Sequence, residues 1–535
     1  MKTLKSLITT VLAFIVLLWL FPVIAALSPL LVLFLFFFGF ARLKSVSRNI
    51  WQGLQSLLSS CLNGVIGLLQ GLFGLLAWLY GKRPTKQSNG FMSGWSRWRK
   101  FGSHQDGFLV DGNRQRLSET ATYESLLIQG GMGRGKTSTF MIPNLLRLPK
   151  HRPSFVVTDT SGEVLQNTAG YLTQQGYAIQ CLDLIDLTRS ENYNPLARCQ
   201  SSRDIAELAK TLVLTANHQP GGRRGDPFWE QSAEKLIRIL AQCLHNQPNP
   251  DLRNLANLRH LITSFDAHTA PNGQLGKIDH FVLNATQNDL STFASYQAFV
   301  QGNLKTIQSV LMSADVALDP LGIPELASLT ATNSINFADL RGQPTALYIL
   351  VNQTQMPFYA FLLNLFFSDL FKSLLTNSHN PGRPVWLFLE EFGHLTVNNF
   401  ETYATTARKY KVGFAMFLQS LAQLEARYGA INTKTITEAI GTEIYLPGMA
   451  LDTARNLEAR LGRMGHGQGQ ATPLMPAHDI IRMKKQRALM LPSNHRPVLL
   501  KTKRFYQQAA LSRRSSVPFS GPPSQPKLPP KLIQL

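Results

Sequence analysis

Residues 130–137 read Gly-Gly-Met-Gly-Arg-Gly-Lys-Thr, directly after the short apolar run 125–129 and directly before the helix-compatible stretch TSTFMIPNLL. A Gly-x-x-x-x-Gly-Lys-Thr loop between a strand and a helix narrows the fold sharply. Its glycines let successive backbone amides curl inward around a phosphate, and the strand behind holds the helix N-terminus in place. Gly130, Gly131, Gly133, Arg134, Gly135, Lys136, Thr137 and Ser138 are therefore the expected binding set for ATP. Lys136 would reach the β- and γ-phosphates, and Thr137 would offer its hydroxyl to Mg²⁺.

The rest of the second and third quarters of the chain fits a phosphate-binding sheet. Apolar runs at 154–159 (SFVVTD), 177–184, 346–351, 385–391 (VWLFLEE), 413–420 and 443–448 alternate with longer helical patterns. Strands apolar on both faces and separated by helices predict a parallel sheet covered on both sides. From 198 to 339 that rhythm stops, and a polar, helix-forming sequence without a convincing strand predicts an all-α domain inserted into the α/β core. The apolar stretch 356–375 is interrupted by Asp369 and Lys372, so it reads as a buried crossover helix rather than a membrane span.

Composition constrains partners. Among 535 residues, 53 Lys and Arg against 32 Asp and Glu give a formal net charge of +21, which favours a polyanion, either nucleic acid or an anionic membrane face. The four cysteines lack Cys-x-x-Cys spacing, which supports neither a zinc site nor a disulfide framework. Residues 6–41 and 49–81 contain no charged side chain, whereas a membrane-spanning helix needs about 20 apolar residues. Residues 1–81 are thus expected to be a transmembrane anchor. All three flanks are basic, which leaves open whether each block turns back or spans once. Either way both ends would lie in the cytoplasm.

The expected organisation is an anchor at 1–81, a basic Trp-containing linker at 82–105 and a nucleotide-binding domain in two parts, 106–197 and 340–510. The all-α domain (198–339) separates those parts, and a disordered Pro-rich tail closes the chain at 511–535. The linker's chemistry suits anionic headgroups or DNA, and a solvated linker with no partner fits it equally well. The loop QPGGRRGDPFW within the all-α stretch reads as exposed and without special function.

A phosphate loop also needs a carboxylate at the end of a neighbouring apolar strand to organise magnesium, and a base to orient the attacking water. Glu390 and Glu391 supply both after VWLFL. Glu390 and Thr137 are then the expected metal ligands. Gln419 ends the run GFAMFLQS, where it is placed to sense the γ-phosphate, and Arg408 in TTARKYKVGF is a candidate for stabilising transition-state charge across a subunit interface.

Taken in order, these segments resemble the type IV coupling proteins, the TraG/TraD-like ATPases of conjugation and type IV secretion, from about residue 101 to 506. GGMGRGKT, SFVVTDTSGEVLQNTAGYLTQQGYAIQCLDL, NYNPLA, DPFWEQSAEKLI, LFLEEFGHL, FLQSLAQLEARYG and IRMKKQRALMLPSNHRPVLLKTKRFY carry the likeness. Two positions depart from the family pattern: Ser161 stands where lysine is common, and Glu390 where aspartate is usual. The resemblance implies an α/β, RecA-like P-loop NTPase core and a homohexameric ring at the bacterial inner membrane, multi-pass, with its ATPase domain in the cytoplasm. It implies DNA bound without sequence preference, a relaxase or relaxosome as cargo, and secretion-channel components as partners. By the same resemblance Lys136 and Thr137 bind nucleotide and magnesium, Glu390 and Glu391 serve metal and water, Arg408 acts in trans and Gln419 senses the γ-phosphate. A docking receptor switched by nucleotide, with weak or no hydrolysis, is the alternative reading.

Overall fold

Among the described residues nine strands form one sheet, in the order β11-β10-β7-β1-β6-β5-β2-β4-β3. They are β1 (Leu126–Gln129), β2 (Ser154–Asp159), β3 (Ala178–Asp183), β4 (Thr345–Leu350), β5 (Val385–Leu389), β6 (Val412–Leu418), β7 (Thr442–Tyr445), β10 (Arg487–Pro492) and β11 (Val498–Lys501), while β8 (Arg463–Met464) and β9 (Thr472–Pro473) make a separate two-stranded ladder. Neighbours from β7 through β3 are all parallel, and β10 runs antiparallel to both β7 and β11. The expected strands thus appear where the apolar runs lie. This computed structural model describes residues 90–217, 227–265, 275–464, 471–521, 524 and 527–535, within the compact unit Ser88–Leu535.

The central strands β1, β2, β4, β5 and β6 are buried along their whole length because both faces are covered. In β5, Val385, Leu387 and Leu389 pack into one core, and Trp386 and Phe388 pack into the other. This is the period-two alternation of a strand buried on both sides. The first core is shared with the helices that follow β3, including Ser202–Asn217, Pro227–His245, Leu255–Thr263 and Leu304–Leu318. Among the described residues between β3 and β4 there is no strand.

Helix Ala360–Leu374 is a crossover between β4 and β5, with Phe366, Leu370 and Phe371 fully buried. Its two charged members, Asp369 and Lys372, are partnered. Tyr193 donates to Asp369 at 2.6 Å, and Lys372 sits 3.5 Å from Asp204. Among the described residues no helix is long and apolar enough to cross a membrane. The expected anchor at 1–81, linker residues 82–89 and loop residues 218–226 lie outside the described residues.

Two expectations are corrected. The described part of the linker contains a helix, Gly94–Phe101. The tail is not disordered over its described residues. It opens with the helix Ala509–Ser515, whose Leu511 is buried and whose Arg514 donates to the carbonyl of Leu146 at 2.6 Å. Farther on, Lys527 donates to Asn192 Oδ1 at 2.6 Å, Ile533 N–H donates to Asn257 Oδ1 at 2.8 Å, and the Ile533 side chain is buried. Proline excludes helix and strand but leaves an extended chain free to lie on a surface and bond through its carbonyls. Of the tail's apolar residues Leu511 and Ile533 reach the core, whereas Leu528 and Leu532 stay exposed.

Candidate active site

The loop after β1 turns through glycines with positive φ, 66° at Gly133 and 90° at Gly135, a region that L side chains rarely enter. Gly130 is constrained by packing instead: a Cβ there would lie 2.7 Å from Leu446 Cβ. The first turn after Lys136 is a π-turn, Thr137–Met141, in which Ile142 N–H bonds to Thr137 O. Pro143 has no N–H to continue an ordinary ladder, which accounts for the wider turn. The helix then resumes at Ile142–Leu146.

Lys136 is almost wholly buried and donates to Gly130 O at 2.8 Å, with Glu391 Oε1 3.6 Å away. Thr137 donates to Glu390 Oε1 at 2.5 Å. The other oxygen of Glu390 accepts from Thr160 twice, from N–H at 3.2 Å and from the hydroxyl at 3.1 Å. Gln419 Nε2 donates to Glu391 Oε2 at 3.2 Å. Glu391 itself has φ 49°, a left-handed conformation costing a non-glycine residue on the order of 1–3 kcal/mol. Buried Phe392 follows it, and His394 N–H bonds to Glu391 O at 2.9 Å.

The sheet order explains this convergence and changes one expectation. The strand bearing the glutamates is not the neighbour of β1: β6 lies between β1 and β5, paired in parallel with both. Gln419 follows β6, so it falls between the loop and the carboxylates. All three strands run the same way, and the carboxyl ends of parallel strands are where an open α/β sheet binds ligands.

Four neighbours were not singled out by sequence. Thr158 Oγ1 accepts from Glu390 N–H, and Thr160 holds the Glu390 side chain. Asp159 is fully buried and accepts from the N–H groups of Ser161, Gly162 and Leu165, so it caps the helix Glu163–Gln174. Burial, together with the charge of Glu390, raises its carboxyl to about 6 against the pull of those amides. The polar TDT ending an apolar strand was the available signal. Arg504 is the fourth: a Cβ at Gly135 would lie 3.2 Å from its Nε. It is distant in sequence from the loop, and nothing local marks it.

Ser161 accepts from Glu163 N–H at 3.3 Å, a local turn contact. Arg134 lies against Gly448, whose added Cβ would fall 2.6 Å from its guanidinium. Arg408 is not in this pocket. It occupies a 3₁₀ turn, Ala407–Tyr410, before β6, is more than half exposed, and pairs with Glu124 at 2.9 Å, ahead of β1. That is the amino end of the strands, away from the loop.

The hydroxyl and carboxylate oxygens of Thr137 and Glu390 form the hard-oxygen donor set that suits Mg²⁺. Among the described residues no cluster of three or more His, Cys, Asp or Glu side chains is grouped to hold a metal by protein alone. Magnesium characteristically keeps waters and phosphate oxygens as its other ligands, so the two observations agree.

Fold and pocket together define a P-loop protein with a RecA-like core. The chain belongs to the family described as Type IV secretory system Conjugative DNA transfer, whose model it matches over residues 98–470. It is 22% identical to Protein VirD4 of Agrobacterium fabrum over 408 residues, 71% of this chain and 58% of that protein. It is 22% identical to the Coupling protein TraD of Escherichia coli over 438 residues, 78% of this chain and 56% of that one. The chain therefore spans less than two thirds of the length of these relatives. Its fold is similar to that of the plasmid coupling protein TrwB in complex with ADP and Mg²⁺, with TM-score 0.58, 16% identity, and coverage of 79% of this chain and 95% of that chain.

Proposed function

We propose that the chain is a membrane-anchored ATPase that couples hydrolysis to the passage of DNA, or a relaxase-DNA complex, into a type IV secretion channel. The observation that carries this reading is the meeting of Lys136, Thr137, Glu390, Glu391 and Gln419 at the carboxyl ends of β1, β5 and β6. TrwB, which shares the fold, has been seen with ADP and Mg²⁺, which supports the same ligands here.

In this reading the loop amides and Lys136 grip the β- and γ-phosphates, and phosphate oxygens take over the Lys136 bonds now made to Gly130 and Glu391. Thr137 and Glu390 would hold magnesium, which neutralises charge on the phosphates. Glu391, oriented by the Gln419 amide, positions the attacking water and takes its proton. Arg408 serves the nucleotide of another copy, because its own pocket lies at the opposite strand ends. That need for a second copy supports a homohexameric ring at the bacterial inner membrane. The net charge of +21 suits grip on phosphates of any sequence, and relaxosome and channel proteins would be the further partners.

The docking-receptor reading rests on Glu390, which spans directly to Thr137 where aspartate is usual. Steady-state turnover with and without single-stranded DNA at low salt tests both. The motor reading expects stimulation by DNA and loss of stimulation as salt rises. A wild type without turnover whose Glu390→Asp variant hydrolyses ATP would replace it with the receptor reading.

A further inference from the structure

Helix Gly94–Phe101, GWSRWRKF, is fastened on one side and bare on the other. Phe101 is buried in the core beneath the sheet, and Arg97 donates to Gln115 Oε1 at 2.9 Å and to Leu499 O at 3.1 Å. The chain before it is tied down as well, through Met92 N–H to Pro497 O at 2.9 Å. The outward side carries Trp95, 62% exposed, and Trp98, 47% exposed, whereas Trp386 in the core is fully buried. Arg99 stands 5.4 Å over the Trp95 ring, Trp98 leans on His104 at 4.8 Å, and Arg99 and Lys100 end the helix exposed.

Large aromatic rings held in water cost free energy unless something covers them. Tryptophan beside arginine and lysine is the composition that settles at a headgroup layer, the ring among the upper acyl carbons and the cations on phosphates. Sequence continuity selects this occupant. The charge-free stretch 49–81 ends just before Lys82, Arg83 and Lys86, and the helix opens at Gly94. The chain between Gly81 and Gly94 extends at most about 45 Å.

We propose that the outward face of this helix docks on an anionic lipid surface, with Trp95 and Trp98 in the interface and Arg99 and Lys100 on lipid phosphates. The inference rests on the membrane-anchor reading of residues 1–81. Because Arg97 and Phe101 fasten the helix to the ATPase, docking fixes the ATPase at the membrane rather than leaving it on a free tether.

The test uses the full chain in lipid nanodiscs, of phosphatidylcholine alone or of phosphatidylcholine and phosphatidylglycerol in equal parts, read by amide hydrogen exchange. Residues 92–101 should exchange several-fold more slowly in the anionic discs. Trp95→Ala/Trp98→Ala and Arg99→Glu/Lys100→Glu should each remove that difference while amides of β1–β6 stay protected. A chain that fails to co-elute with discs after a high-salt wash overturns the anchor and this proposal together. A chain that co-elutes but exchanges equally in both lipids overturns the docking alone, as does protection that appears only when single-stranded DNA is added.

Discussion

The two ends of the same three strands differ in almost every respect. At the carboxyl ends of β1, β5 and β6, five candidate side chains converge: Lys136, Glu390 and Glu391 are buried, Thr137 and Gln419 partly so, and Thr137 bonds to Glu390 and Gln419 to Glu391. At the amino ends stands Arg408, largely exposed and held by one ion pair to Glu124. A buried, mutually bonded cluster is organised by its own chain. An exposed arginine paired with a single carboxylate is ready to exchange that partner for a stronger anion, because such surface pairs contribute only about 0–1 kcal/mol. Under the proposed function, binding falls to one end and completion by another copy to the other.

The largest expected effect falls on the buried end. Lys136→Ala should bring turnover to background and weaken triphosphate binding, with the circular dichroism of the fold unchanged. Arg408→Ala should lower turnover on the order of 10³-fold, the scale of a trans-acting arginine, and leave nucleotide affinity intact in a fluorescent-nucleotide titration. Mixing the two inactive variants sharpens the contrast. If Arg408 acts on a neighbour's nucleotide, mixed rings regain part of the turnover, and no regain at any ratio would return Arg408 to a structural role.

Stability effects are smaller. Gly130→Ala drives a methyl into Leu446, and overpacking of this kind costs about 1–3 kcal/mol, measurable by urea unfolding. Asp159 should leave a mark on the pH dependence. Its folded carboxyl titrates at about 6 against an unfolded value of 3.8, so the folded state holds the extra proton between those values. Stability should therefore fall as pH rises from about 4 to about 6 and level off above, by a term on the order of 1–3 kcal/mol. Asp159→Asn should flatten that part of the profile, and a profile identical to wild type would remove Asp159 as its source. Glu124→Gln, at the exposed end, should change stability by less than about 1 kcal/mol and leave single-ring nucleotide affinity untouched.

Much of this was legible from local sequence. The seven parallel strands β1–β7 each coincide with one of the apolar runs, because a strand buried on both faces has little polar alternation to blur it, whereas the antiparallel β10 and β11 were not among those runs. The loop residues, Glu390, Glu391 and Gln419 were legible for a related reason: each sits where an apolar run stops, and strand ends are where side chains reach a ligand. The misses share a cause too. Asp159 ends and Thr160 follows a strand that carries no loop motif, and Arg504 reaches Gly135 from a segment more than 360 residues later. The tail was misread because proline content reports which regular structures are forbidden, not whether Leu511 and Ile533 find a core to enter.

What the sequence determined by itself was the chemistry available: a loop able to cradle phosphates, a pair of carboxylates, and an alternation of strands and helices that points to a covered, mostly parallel sheet. What the tertiary structure decided was adjacency. Strand order placed β6, and with it Gln419, between the loop and the glutamates, and sent Arg408 to the far end of the same strands. Pattern along a chain reports burial and period, whereas strand order is settled by long-range pairing, which no local stretch of residues encodes.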